Sequence, residues 1–313
     1  MSPTPGRTSW SRLLRSERTG RRAVTLVLAV TVVIAIAAMV GQLTARDDRA
    51  GAPPASPSPS ATSPEATPPT GGSGVDAGPD TTGVPGGVRL EPHDAGTEDR
   101  DGLVLDGVLV AGDLELVGEG QVLRNSRIEG QLVVRGADIT VEDSEVGGLA
   151  ITSATGVVAR RVEVFGHLGS DGIHVTSDSG ARASDILVEG CWVHSPQVEA
   201  QSHYDGIQVR GVDGLTLYGN TFDLGPWQEP YNAAIFLEDA NGGNVDVLVE
   251  RNIINGGGYA VYVQGQDVRF VDNRFGRDAK WALIFPEHAP FQESGSVWAD
   301  DGSALSLLAE ADG

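Results

Sequence analysis

Two aspartates sit in nearly the same local pattern, Ser170-Asp171-Gly172-Ile173-His174-Val175 and Tyr204-Asp205-Gly206-Ile207-Gln208-Val209. Two carboxylates held close in a cleft displace each other's pKa, so that one can serve as acid and the other as base, or the pair can bind Ca²⁺. Asp-Gly is also a common way of turning a chain into a strand, and both readings stand on the sequence. His203 lies two residues before Asp205 and His174 three after Asp171, which makes a mixed histidine and carboxylate cluster suited to general acid/base work.

Farther along come Phe236, Tyr259, Tyr262 and Trp281, with Trp227 and Tyr231 in a long polar stretch. Aromatic faces pack on the apolar faces of sugar rings, while hydroxyls would bond Gln208, Arg210 or Glu238. The same aromatics could serve only to stack one turn of the chain on the next. Lys280, the single lysine, precedes Trp281 at the edge of this set.

What must position these side chains is a repeat. The spacing apolar-x-apolar-x-x-(small or Asn)-x-apolar starts at Leu103, Gln121, Ile139, Val157, Ile186, Leu215, Val247 and Val268, with steps of 18, 18, 18, 29, 29, 32 and 21 residues. The third column (Leu105, Leu123, Val141, Ala159, Val188, Leu217, Val249, Phe270) and the eighth (Val110, Ile128, Val146, Val164, Val193, Phe222, Ile254, Phe275) are apolar in every copy. At 40% hydrophobic residues one such column has odds of roughly one in a thousand. A second short strand recurs in each copy, at Leu114 to Leu116, Leu132 to Val134, Leu149 to Ile151, Ile173 to Val175, Ile207 to Val209, Ile235 to Leu237, Val261 to Val263 and Leu283 to Phe285. Two or three strands per coil, with alternate residues inward, make a solenoid walled by parallel sheets. Asp171 and Asp205 then stack one rung apart, about 5 Å. The 29- and 32-residue coils place their extra length before the second strand, as loops Phe165 to Gly172, His194 to Gly206 and Asp223 to Ala234. Such loops on a rigid scaffold mark a cleft.

Over residues 103 to about 285 the chain resembles the right-handed parallel β-helix of the pectin-lyase-like superfamily, and its handedness is implied by that resemblance. Ser170 to Thr176 is similar to the Asn-Thr-Asp-Gly-Ile-His segment of polygalacturonase-type glycoside hydrolases, where the aspartate is catalytic; Asp171 matches it. Ser170 and Gly169 replace the preceding Thr and Asn. The next rung carries Tyr204-Asp205 where that family has Asp-Asp, so its leaving-group acid is missing. Asn232-Ala233-Ala234 and Tyr259-Ala260-Val261 stand where its Gly-His-Gly and Arg-Ile-Lys motifs would be. His203-x-Asp205-Gly206-Ile207-Gln208, Asn232-Ala233-Ala234-Ile235-Phe236 and Asn255-Gly256-Gly257-Gly258-Tyr259 together resemble exported bacterial β-helix-repeat proteins. Lyases of this fold often use Lys or Arg beside a Ca²⁺-bound uronate, so a polyanionic substrate would call on Lys280 or bound Ca²⁺, while a neutral glycan stands equally as the alternative.

Before the repeat, residues 1–22 form a basic tail and residues 23–43 an uncharged stretch long enough, at about 1.5 Å per residue, to span a bilayer core. Arginines ahead of it place the rest of the chain outside the cell as a signal anchor, with cleavage after Ala35-Ile36-Ala37 as the rival that would release a secreted protein. Residues 44–87, rich in Pro, Ser and Thr, read as an extended linker, leaving residues 88–313 for an all-β domain. Val88 to Asp101 should cap the first coil and Pro286 to Gly313 the last. From residue 47 onward 15 basic residues face 42 acidic ones, a net of −27, which excludes nucleic acid as partner. Cys191, alone, allows no intramolecular disulfide, and its repeat column makes it a small interior side chain rather than a nucleophile. In the sixth column Asn220, Asn252 and Asn273 should bond rung to rung and take the positive-φ turn.

The sequence therefore predicts a right-handed parallel β-helix behind a transmembrane helix and linker, binding a polysaccharide or cell-wall glycan and cleaving it as a hydrolase or lyase. A non-catalytic surface protein that binds glycan is the alternative.

Overall fold

The computed structural model describes residues 76–178 and 180–311. The expected membrane anchor and most of the linker lie outside them, and among the described residues no helix is long and apolar enough to cross a membrane.

Every coil of the repeat is one turn of a solenoid with three faces. The first face is a nine-stranded parallel sheet running from Val104–Asp106 to Gln292–Ser294. The second face runs from Glu91–His93 to Val297–Trp298, and the third from Gly96–Glu98 to Ala282–Ile284. Both belong to one sheet because Arg127–Val134 and Glu145–Thr152 pass through the two faces without a break. Register follows the repeat: Leu105 pairs Leu123, Val141 pairs Ala159, and Val249 pairs Phe270. The third and eighth columns are buried in all eight copies. Parallel strands in this register place like residues over like, so each apolar column becomes one continuous strip of core.

The sixth column forms a ladder. Asn220 accepts from the Cys191 amide at 2.8 Å, Asn252 from the Asn220 amide at 2.8 Å, and Asn273 from the Asn252 amide at 2.9 Å. The positive φ, however, falls one residue earlier. Gly107, Asn125, Asp143, Arg161, Gly190, Gly219, Arg251 and Asp272 all have φ between 48 and 70°. That left-handed residue turns the chain, and where its successor is Ser, Cys or Asn the side chain points inward to satisfy the preceding rung's amide. Cys191 is buried with Sγ 3.5 Å from the Ala159 and Glu189 carbonyls, and burial pushes its thiol up to about 12.

The two ends are built differently. Residues 91–98 make a short first rung that pairs with Val108–Val110 and Leu114–Leu116. At the other end Val297 bridges Ala304 in antiparallel fashion, and the short helix Leu307–Ala311 buries Leu307, its first amide held by Glu293 at 2.7 Å. Residues 76–84, which composition alone assigns to the linker, lie against the solenoid. Asp76 pairs with Arg274, Ala77 and Thr82 are buried, and the Gly83 amide donates to the Arg161 carbonyl at 3.0 Å. The segment runs as a strap from late rungs back towards early ones.

Candidate functional site

The third face carries the site. Along it, strand residues point alternately into the core and out, and the register aligns Ala150, His174, Gln208, Phe236 and Tyr262 in one outward column. Phe285 continues the column, its ring stacked on Tyr262 at 4.5 Å between centroids. Thr176, Arg210 and Glu238 form a parallel outward row. Small side chains on early rungs and aromatic ones on late rungs give this face a polar half and an aromatic half.

At the polar end the loops before Ile173 and Ile207 wall a cleft of about 440 Å³. Asp171, His174 and His203 line it together with Gln131, Gln197 and Glu199. Asp205 lies beneath, with no exposed surface. The two aspartates lie on neighbouring rungs, where the Asp205 amide donates to Asp171 Oδ1 at 3.0 Å. Asp205 Oδ1 accepts from Asn232 Nδ2 at 2.8 Å, while its Oδ2 has no hydrogen bond and lies 3.6 Å from His203 Nδ1. Burial raises the Asp171 carboxyl to about 6, opposed by the Asp205 amide and by the charges of His203 and Arg210. Asp205 is held well above the ordinary carboxylate value, first by burial and then by the neighbouring Asp171 charge. One group of the pair therefore faces the cleft with its carboxyl raised to about 6, and the other, inside, is likewise shifted towards its neutral form.

Burial lowers His174, whose Nε2 has no hydrogen-bond partner, and so favours a neutral ring beside Asp171. His203, at 63% side-chain exposure, is the freer of the two histidines. Gln208 donates to Glu238 at 3.1 Å and Arg210 Nε forms an ion pair with the same carboxylate at 3.0 Å, so these three make one polar strip. One oxygen of Asp171 and one of Asp205 each accept from an amide donor. No group of three or more metal-ligating side chains occurs among the described residues.

The aromatic end is a connected cluster. Phe236 lies 4.9 Å from Tyr262, Tyr259 5.4 Å from Tyr262, and Trp281 5.2 Å from Tyr259. Trp227 lies 6.1 Å from Trp281 and carries Lys280 Nζ over its ring at 5.0 Å. Trp281 is 58% exposed and rests on Gly258, where an added Cβ would fall 2.2 Å from the indole. Tyr231 instead is buried, packed near Tyr204 and bonded by Gln228, and supports the loop from within. Phe285, Gln131, Gln197, Gln201 and Glu199 are additional members of the site. Phe285 could have been found by continuing the Tyr262 column one rung. The three glutamines and Glu199 carry no motif and join the site only through the fold.

The sequence matches the family model described as a right-handed β-helix region over residues 119–292. No curated protein matches it. Among solved structures it is similar to an alginate lyase from Paenibacillus sp. str. FPU-7, at 15% identity over 68% of this chain and 89% of that one, with a TM-score of 0.48. A second likeness is to the gp42 tailspike of Acinetobacter phage vb_AbaP_AS12, at 11% identity over 67% of this chain and 44% of that one, with a TM-score of 0.43. Neither bears on the chemistry of the site.

Proposed function

The chain belongs to the right-handed β-helix family, and from that premise we propose that it binds a polysaccharide along the third face and cleaves it at Asp171. The observation that carries this reading is the alignment, on one face, of a half-neutral carboxyl in a walled cleft with an exposed aromatic platform several rungs away. Sugar rings stack on Trp281 and its neighbours, and Gln208, Arg210 and Glu238 bond hydroxyls between platform and cleft. Asp171 is protonated often enough near pH 6 to donate to a glycosidic oxygen, and His203, exposed in the same cleft, is the partner that takes up a proton. The Asp205 amide holds Asp171 in place, and burial sets its affinity for a proton. Hydrolysis and β-elimination both begin from this arrangement. Residues 1–43 would anchor the protein in the membrane with the solenoid outside.

One observation favours a binding protein without turnover. Asp205 is fully buried, so a single carboxylate of the pair reaches the cleft, whereas glycosidases commonly use two. A panel of oligosaccharides incubated with the full chain, scored for new reducing ends and for unsaturated products, decides between them. Turnover abolished in Asp171→Asn supports the enzyme. Undiminished turnover in that variant removes Asp171 from the chemistry, and tight binding with no turnover in the wild type establishes the binding protein.

A further inference from the structure

Resting on the glycan reading, we infer that the polymer accepted by the third face is uncharged, and that the loop between His194 and Gly206 enforces this. The cleft wall is an amide and hydroxyl surface: Gln131, Ser170, Gln197, Gln201 and Ser202 surround Asp171, with Glu199 beside them. Among the described residues no arginine or lysine lines it. The nearest cation on this face, Arg210, is engaged by Glu238 at 3.0 Å and by Asp178 at 3.4 Å. Lys280 lies over Trp227 at the aromatic end. Amides and hydroxyls exchange hydrogen bonds with sugar hydroxyls in either direction, whereas a carboxylate on each sugar would meet Asp171 and Glu199 with only the His203 ring in the cleft to offset them. Chain-wide charge acts in the same sense, since the net of −27 beyond residue 46 repels a polyanion before contact.

For a polymer of neutral hexoses with no C6 ester, this selects the reaction as well. β-Elimination removes the proton at C5, which is acidic only when C6 is a carboxylate or its ester; an uncharged hexose polymer lacks that activation. Hydrolysis remains: Asp171 gives its proton to the glycosidic oxygen as the C1–O bond breaks, water adds its oxygen to C1, and its surplus proton goes to His203.

The test pairs hexasaccharides of glucose, mannose and galactose with the hexuronates that differ from them only in oxidation at C6, titrated calorimetrically into the full chain at pH 7. At least one neutral hexamer should bind tenfold or more tightly than its hexuronate, and the hexuronate's binding should improve as NaCl is raised, because screening weakens repulsion. A hexuronate that binds as tightly as its partner, or that loses affinity with salt, overturns the inference. The exposed pair Glu199→Lys with Gln201→Lys should narrow the neutral-to-uronate ratio by about tenfold; an unchanged ratio in a folded double variant also overturns it. If neither polymer class binds, the glycan reading itself falls.

Discussion

Asp171 carries a burial cost that depends on pH. Its folded-state carboxyl titrates near 6, above its ordinary 3.8, because burial disfavours the anion. The folded protein therefore holds this proton more tightly than the unfolded chain, and stability is lost as pH rises from 3.8 through about 6. Above that window the penalty is at most about 3 kcal/mol, by the usual 1.36 kcal/mol per pKa unit. Asp171→Asn keeps an oxygen for the Asp205 amide and removes the charge. The variant should be more stable than wild type at pH 8 and equal to it near pH 3.5. Urea unfolding at the two pH values checks this, and a difference that does not change with pH would sink it. Asp171 was legible as a candidate because Asp-Gly ends a swollen loop. The sequence did not distinguish it from Asp205, whose Asp-Gly reads alike. What separates them is the rung above: Asn232 and the Ala233 amide close over Asp205, and the register shifts between Tyr204 and Asp205. Such covering belongs to loop paths that no local pattern encodes.

Among the elements, the parallel register made the core columns readable, because identical spacing in successive coils must stack. The asparagine ladder follows the same logic and invites a direct test. Asn252→Ala removes the acceptor of the Asn220 amide and side chain and the donor to the Leu217 carbonyl, all inside the protein. Unsatisfied buried groups cost about 1–3 kcal/mol each, so a loss of roughly 3 kcal/mol or more in chemical denaturation is expected. A loss under about 1 kcal/mol would mean that the ladder is decorative. The aromatic platform has an equally local dependence. Gly258→Ala would set a methyl where the Trp281 ring now lies, and so should weaken glycan binding as much as Trp281→Ala does, about tenfold for one stacked ring. Combining the two should add nothing further, since both remove one contact. Additive losses in titration calorimetry would place Gly258 outside the platform.

At the scale of the whole molecule, a solenoid lacks contacts between distant rungs, and each coil leans only on its neighbours. The strap departs from that rule, joining Asp76 at Arg274 to Gly83 at Arg161 and so tying rungs that the repeat leaves independent. It was invisible in the sequence because it passes the solenoid once, without a repeat, through a stretch whose prolines and glycines read as linker. Its seat is tight at Gly83, where φ is +80° and an added Cβ would meet Glu163 and Glu145 at 2.8 and 3.1 Å. Gly83→Val is therefore expected to lift the strap without touching the core columns. Hydrogen exchange followed by mass spectrometry should show residues 76–88 losing protection, with late rungs near Arg274 exchanging faster than in wild type. Protection lost only in the strap would show that it rides on the solenoid without bracing it. Protection lost across early and late rungs together would show that this one unrepeated segment couples what the repeat by itself keeps separate.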